Sequence, residues 1–158
     1  MDGIKLDHID LLLLAELQRE ARLSSAELAE RAHLAISTTL RRVQRLEREG
    51  VIAGYRAMVD PERVGLGLQA FVRVQLEHHD AKTVAAFTAF IKQWDEVIAC
   101  HALTGDVDYL LQVAVRDREH FSSLLLDRLL RQPGVAEVTS SFVVHTVKAF
   151  HGLPLSER

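Results

Sequence analysis

What this chain of 158 residues has little of narrows its class first. No apolar run approaches the roughly 20 residues that cross a bilayer, and the greasiest stretch, Leu11 to Ala15, runs straight into Glu16, Gln18 and Arg19. Cys100 is the single cysteine, which excludes an intrachain disulfide and suits a reducing cytoplasm. The acidic start MDGIKLD lacks a signal-peptide pattern, so secretion is not expected. A general excess of positive charge is missing too: the net charge is −3. His78 and His79 beside Glu77 and Asp80, and His101 beside Cys100, have no compact ligand spacing. Adjacent strand residues point to opposite faces, so no metal site is expected there. Asp106 and Asp108 come without a nucleophile, a phosphate loop or a cofactor motif. Neither catalysis nor a cofactor is therefore expected. What is present is a 48% hydrophobic content, enough for one ordinary domain or two small ones.

The charge that exists is local. Residues 36–56 hold five arginines against two glutamates. They fall in the stretch SSAELAERAHLAISTTLRRVQRLEREGVI, residues 24–52, which reads as two short helices joined by a tight connection. Leu28, Ala29 and Ala32 give the first an apolar face, and Leu40, Val43 and Leu46 give one to the second. At roughly 100° per residue, Arg41, Arg45 and Arg48 point to the opposite side, with Ser37 and Thr38 near them at the helix start. Gly50 closes the helix. An apolar back and a cationic front with small hydroxyls is what major-groove reading requires, and Ser37, Thr38, Arg41, Arg42 and Arg45 are the expected DNA contacts. The competing reading is a solvated arginine face on a core helix, with Arg45 paired to Glu49.

Before this pair, Leu6 to Ala21 reads as a helix capped by Asp7, with Ile9, Leu13, Leu14 and Leu17 at helical spacing. Ser24-x-x-Glu27 has capping-box spacing. Residues 51–60 leave helical periodicity for a short extended segment, in which Gly54, Tyr55 and Arg56 form either a backbone-contacting wing or a hinge strand. Asp60-Pro61 and the glycines at 65 and 67 mark a boundary. Beyond it, Leu68, Ala70, Val72, Val74 and Leu76 alternate as a half-buried strand. A helix follows from about Ala81 to Gln93, carrying Val84, Phe87, Ile91 and Trp94 inward. Strands at Val97–Thr104 and Tyr109–Arg116 flank a hairpin turn, Gly105-Asp106-Val107-Asp108. Asp117 caps a second helix with Phe121, Leu124, Leu125 and Leu129 inside; Pro133-Gly134 stops it, and Val135 to Val147 is the last strand. The order is βαββαβ, a split-βαβ or ferredoxin-like α+β domain. With both helices on one sheet face, Phe71, Arg73 and Val143 are left on the other, which suggests a dimer.

In order and spacing, Leu6-Asp7-x-x-Asp10, Leu28-Ala29, Leu40-Arg41-Arg42-x-x-x-Leu46-Glu47, Gly50-Val51-Ile52-x-Gly54-Tyr55, Leu103-Thr104-Gly105-Asp106-x-Asp108-Tyr109-Leu110-Leu111, Pro133-Gly134-Val135 and Ser140-Ser141-Phe142-Val143-Val144 resemble the Lrp/AsnC (feast/famine) transcription regulators across almost the whole chain. The leucine-responsive branch is the nearest in character, from Leu-Arg-Arg-Val at 40–43 and Asp108-Tyr109-Leu110-Leu111. The resemblance implies a winged helix-turn-helix at 1–52, a linker strand at 53–67, an effector-binding and oligomerising RAM domain at 68–148 and a tail at 149–158. It implies double-stranded DNA as partner, RAM-mediated dimers assembling to a higher oligomer such as an octamer, and a cytoplasmic, nucleoid-associated location without membrane contact. Paired recognition helices would lie about 34 Å or a multiple apart.

The resemblance also implies an amino-acid effector, leucine or methionine being plausible, bound at interfaces between RAM dimers by Leu103, Thr104, Gly105, Asp106, Asp108 and Tyr109, with Ser140 and Ser141 closing the site from the same or a neighbouring subunit. Backbone N–H groups around Gly105 can take a carboxylate, and Asp106 or Asp108 can take an ammonium group. The residues alone read equally as a polar-tipped hairpin turn. One departure stands out: where the family commonly has Gly at the turn and then Leu-Ser-Pro, this chain has His33-Leu34-Ala35-Ile36. Ala35 cannot cap through its side chain, and Ser37 is the alternative cap, which would start the helix two residues later. The competing functions are an architectural, DNA-compacting protein on the same oligomer and a metabolite-binding subunit without a DNA role.

Overall fold

The computed structural model describes residues 4–155. Two compact units emerge, one made of the chain up to Met58 together with the residues from Lys148 on, the other spanning Val59–Val147.

The first unit is three helices: α1 (His8–Arg19), α2 (Ser25–Arg31) and α3 (Ile36–Arg48). α1 is shorter at both ends than its periodicity predicts. Asp7 and Asp10 form a reciprocal capping box, and Glu20 already has extended backbone. Ser24 and Glu27 form the second box expected from their spacing. Leu13, Leu28 and Ala32 make the core, with Ile9, Leu12, Leu17, Leu23, Leu34 and Val43 packed on it. Buried Glu16 accepts from Arg19 at 2.7 Å and from Arg31 at 3.0 Å, tying α1 to α2. Gln18 on α1 pairs through both amide atoms with the backbone of Leu153, donating at 3.1 Å and accepting at 2.6 Å. Residues 53–60, expected as an extended strand, carry no regular structure.

The second unit contains β1 (Leu68–Leu76), α4 (Ala81–Ile91), β2 (Val97–Ala102), β3 (Tyr109–Val115), α5 (Arg118–Ser123) and β4 (Val135–Phe142). The four strands form one antiparallel sheet in the order β2-β3-β1-β4, the ferredoxin-like arrangement. Inward residues of β1 and β3 meet Phe87, Ile91, Trp94, Phe121, Leu124 and Leu129 in the core, which is what period-2 alternation predicts.

β2 and α4 each end two residues before their expected limits, and two other elements depart further from the sequence pattern. β4 ends at Phe142, opposite Ala70, and one further bond joins the Val143 N–H to the Gln69 carbonyl at 2.9 Å. β1 begins at Leu68, so the residues that alternate on to Val147 have no ladder to join. The second helix is α-helical only through Ser123 and continues as a π-helix over Leu124–Leu129. The wider turn lets Leu124 and Leu129, five apart, face inward together, whereas Leu125 is half-buried.

Candidate nucleic-acid interface and effector cleft

α3 begins at Ile36 with Ala35 as an N-cap that makes no side-chain bond. The alternative start at Ser37 is not adopted. The entry is set by the turn before it, where His33 takes a left-handed backbone (φ 53°) at the place the family commonly gives to glycine. Ser37 therefore stands in the first turn, exposed, with Thr38 half-buried beside it.

The buried side of α3 is not quite the one the apolar spacing predicts. Thr39 and Leu46 are fully buried, whereas Leu40 is 43% exposed. Thr39 can be buried because its hydroxyl donates to the Ala35 carbonyl at 3.2 Å. The helix is thus rotated slightly, and that rotation separates the arginines. Arg42 donates to Asp7 at 2.8 Å and to Asp10 at 2.9 Å, and Arg45 donates to the other oxygen of Asp10. Arg45 Nε lies 4.0 Å from Glu49, outside hydrogen-bond reach. Arg42 and Arg45, both expected as DNA contacts, are thus paired with carboxylates at the start of α1 and hold α3 against it. The Asp7 carboxyl is lowered to about 2, first by the Asp10 N–H and then by Arg42.

The face left open is Ser37, Arg41, Gln44 and Arg48, all exposed and spaced three or four apart. Among the described residues, neither Arg41 nor Arg48 pairs with a carboxylate. Arg48 was already read on the cationic front; Gln44 is the residue of this face that sequence reasoning left out, and its spacing of three from Arg41 was the available signal. Tyr55 donates to Glu47 of α3 at 2.8 Å. Burial, with that carboxylate, pushes its phenol up to about 12.

In the second unit the residues expected to hold an effector are dispersed. Leu103, Thr104, Gly105 and Asp106 lie on the exposed loop between β2 and β3, closed by the Leu103 N–H on the Asp108 carbonyl at 2.8 Å. Asp108 turns back onto the sheet. It accepts from the Leu76 N–H at 2.7 Å and contacts His79 Nε2 at 2.7 Å. The Leu76 bond, then His79, holds its carboxyl below the usual range. Tyr109 is 7% exposed, its ring 4.6 Å from that of Phe87, and belongs to the core. Ser140 and Ser141 of one chain face opposite sides of the sheet, as adjacent strand residues do. Ser140 stands opposite Val72 on the helix-covered face, its hydroxyl buried, whereas Ser141 stands opposite Phe71 on the open face.

The sheet instead builds a cleft of about 300 Å³ from Arg73, Val74, Gln75, Asp106, Val107, Glu137 and Thr139. Register places Arg73 opposite Thr139 and Gln75 opposite Glu137. Of the expected effector residues only Asp106 lines it. One guanidinium and two carboxylates across a small cleft match a zwitterion with a carboxylate at one end and an ammonium at the other. Among the described residues, no group of three or more His, Cys, Asp or Glu side chains is placed to hold a metal. No helix there is long and apolar enough to cross a membrane.

Comparison with known families decides what this pairing of units is. Residues 6–53 match the winged helix-turn-helix DNA-binding model, and residues 69–153 match the Lrp/AsnC ligand binding domain. The chain belongs to the Lrp/AsnC family. The leucine-responsive regulatory protein of Salmonella typhimurium is 37% identical over 156 residues, covering 99% of this chain and 95% of that protein. The DNA-binding transcriptional activator DecR of Escherichia coli is 36% identical over 150 residues, covering 95% and 99%. A Neisseria meningitidis transcriptional regulator solved as an L-Met complex superposes with a TM-score of 0.92 at 43% identity, covering 96% of this chain and 97% of that one. These relatives are transcription regulators by name.

Proposed function

We propose that this chain is a sequence-specific DNA-binding regulator whose DNA affinity or assembly responds to an α-amino acid. The observation that carries the reading is the cleft between β1, β4 and the loop after β2, which brings Arg73 together with Asp106 and Glu137. Arg73 takes the effector's carboxylate, and Asp106 or Glu137 takes its ammonium. The volume, about 300 Å³, admits an amino acid the size of methionine, and methionine is the first candidate because a neighbour of the same fold was solved with it. Ser37, Arg41, Gln44 and Arg48 meet the DNA, arginine and glutamine at base edges or phosphates and serine at the helix entrance.

The open sheet face carries Phe71, which is 40% exposed, on the same side of β1 as Arg73; pairing of two such faces forms the dimer, presents two recognition helices to one duplex and covers the cleft from the partner subunit. Higher assembly and nucleoid association follow from the same family reading. A melting-temperature screen against the standard amino acids tests the proposal. A cognate effector at 100 times its Kd stabilises by about 2.7 kcal/mol, and Arg73→Ala removes the shift. The absence of a shift with any amino acid, or a shift that Arg73→Ala leaves intact, refutes the effector assignment. Footprinting that shows no preferred site at moderate salt favours the architectural alternative.

A further inference from the structure

The sequence phrase Asp7-x-x-Asp10 has no place in the DNA face or in the effector cleft, yet it sits at the densest polar cluster of the first unit. Asp10 has no exposed surface. Its Oδ1 accepts from Arg42, and its Oδ2 accepts from Arg45 and from the Asp7 N–H at 3.1 Å. Asp7 returns the capping bond to the Asp10 N–H at 2.8 Å and takes the same Arg42 nitrogen. All four carboxylate oxygens are thereby occupied, and both guanidinium groups come from the recognition helix.

We propose that Asp7 and Asp10 are positioning residues that withdraw Arg42 and Arg45 from the DNA and set the rotation of α3, so that base reading rather than phosphate attraction dominates binding. The physical reason is the burial of Asp10. An arginine that left for a phosphate would strand a desolvated carboxylate, and a single exposed phosphate contact does not offset that. Four arginines lie on α3, but only Arg41 and Arg48 are then available to displace counterions. The rotation matters as well. With Arg42 anchored at the α1 side, Ser37, Arg41, Gln44 and Arg48 are held outward together. Fewer phosphate contacts mean weaker sequence-independent binding, which raises the ratio of specific to nonspecific affinity.

The inference rests on the DNA-reading assignment of α3, and the experiment separates the two. The full chain is titrated against a mixed-sequence duplex of about four helical turns over a series of KCl concentrations, and the slope of log K against log [salt] is read. Arg41→Gln is expected to make the slope shallower by about 0.9 per engaged helix. Arg42→Gln and Arg45→Gln are expected to leave the slope of the wild type. Asp7→Asn combined with Asp10→Asn frees both guanidinium groups and is expected to steepen the slope by up to about 1.8 per helix, with tighter binding at low salt. An Arg42→Gln slope that falls as far as that of Arg41→Gln overturns the proposal. So does a folded double Asn variant with an unchanged slope. Should the double Asn variant fail to fold by circular dichroism, the Arg42→Gln slope decides alone. If Arg41→Gln leaves the slope intact, the α3 assignment fails, and this inference fails with it.

Discussion

Replacing Asp108 by alanine separates two accounts of this residue, as an effector contact and as a latch of the sheet. In the structure its carboxylate takes the Leu76 N–H at 2.7 Å and His79 at 2.7 Å, with 19% of the side chain exposed. Alanine leaves a part-buried backbone donor at the end of β1 without a partner. Losing a hydrogen bond to a charged acceptor costs about 1.5–3 kcal/mol, and the remaining exposure points to the lower half of that range. For a chain of this size the melting temperature should fall by roughly 3–8 °C. Asp108→Asn keeps an oxygen for Leu76 and should recover about half the loss.

The pH dependence has a definite sign. The folded carboxyl lies below its usual value, so its contribution is fully present above about pH 4. That contribution fades as pH falls through the folded value, and the melting curves of Asp108→Ala and wild type should converge there. Differential scanning calorimetry with and without methionine is the assay. The latch account expects a lower baseline and an undiminished methionine shift. A wild-type baseline with no methionine shift would refute it and return Asp108 to the effector site.

Three further outcomes are expected. Gly134→Ala should destabilise the second unit by more than about 1 kcal/mol, because Gly134 has φ 87° and an added Cβ would meet Thr83 Cγ2 at 2.7 Å; urea unfolding reads this directly. His33→Gly should stabilise the first unit by up to about 1 kcal/mol by relieving the left-handed backbone before α3, and an unchanged denaturation midpoint would contradict that. Acid unfolding followed by circular dichroism should show the first unit losing the Asp7 contribution only as pH falls from about 4 toward about 2, since that carboxyl is lowered in the folded state.

The local elements were legible because their causes are local. Ser24-x-x-Glu27 gives a capping box wherever it folds, Asp7 and Asp117 cap their helices, and the alternation of Leu68 to Leu76 reports one buried and one open face. The order βαββαβ followed from those elements. The length of β4 did not, because a strand ends where its neighbour stops offering bonds, and the start of β1 is not written in β4. The π-helical turn was equally hidden, since leucines at 124, 125 and 129 satisfy α-helical spacing as well as the wider one.

The two sites divide along the same line. The cationic character of α3, the exposed Ser37 and Arg41, and the polar loop at 104–106 are properties of neighbouring residues, and the sequence alone determined them. Which arginines face outward was decided by Asp7 and Asp10, some thirty residues away, because a buried carboxylate must find its counterions before any ligand can compete for them. The candidate cleft on the sheet is tertiary for the same reason. Arg73, Glu137 and Thr139 become neighbours only through the register of β1 against β4, and Asp106 joins them only when the loop closes. Asp108 and Tyr109, adjacent to that loop in sequence, are drawn out of the site by a backbone donor on β1 and by the ring of Phe87.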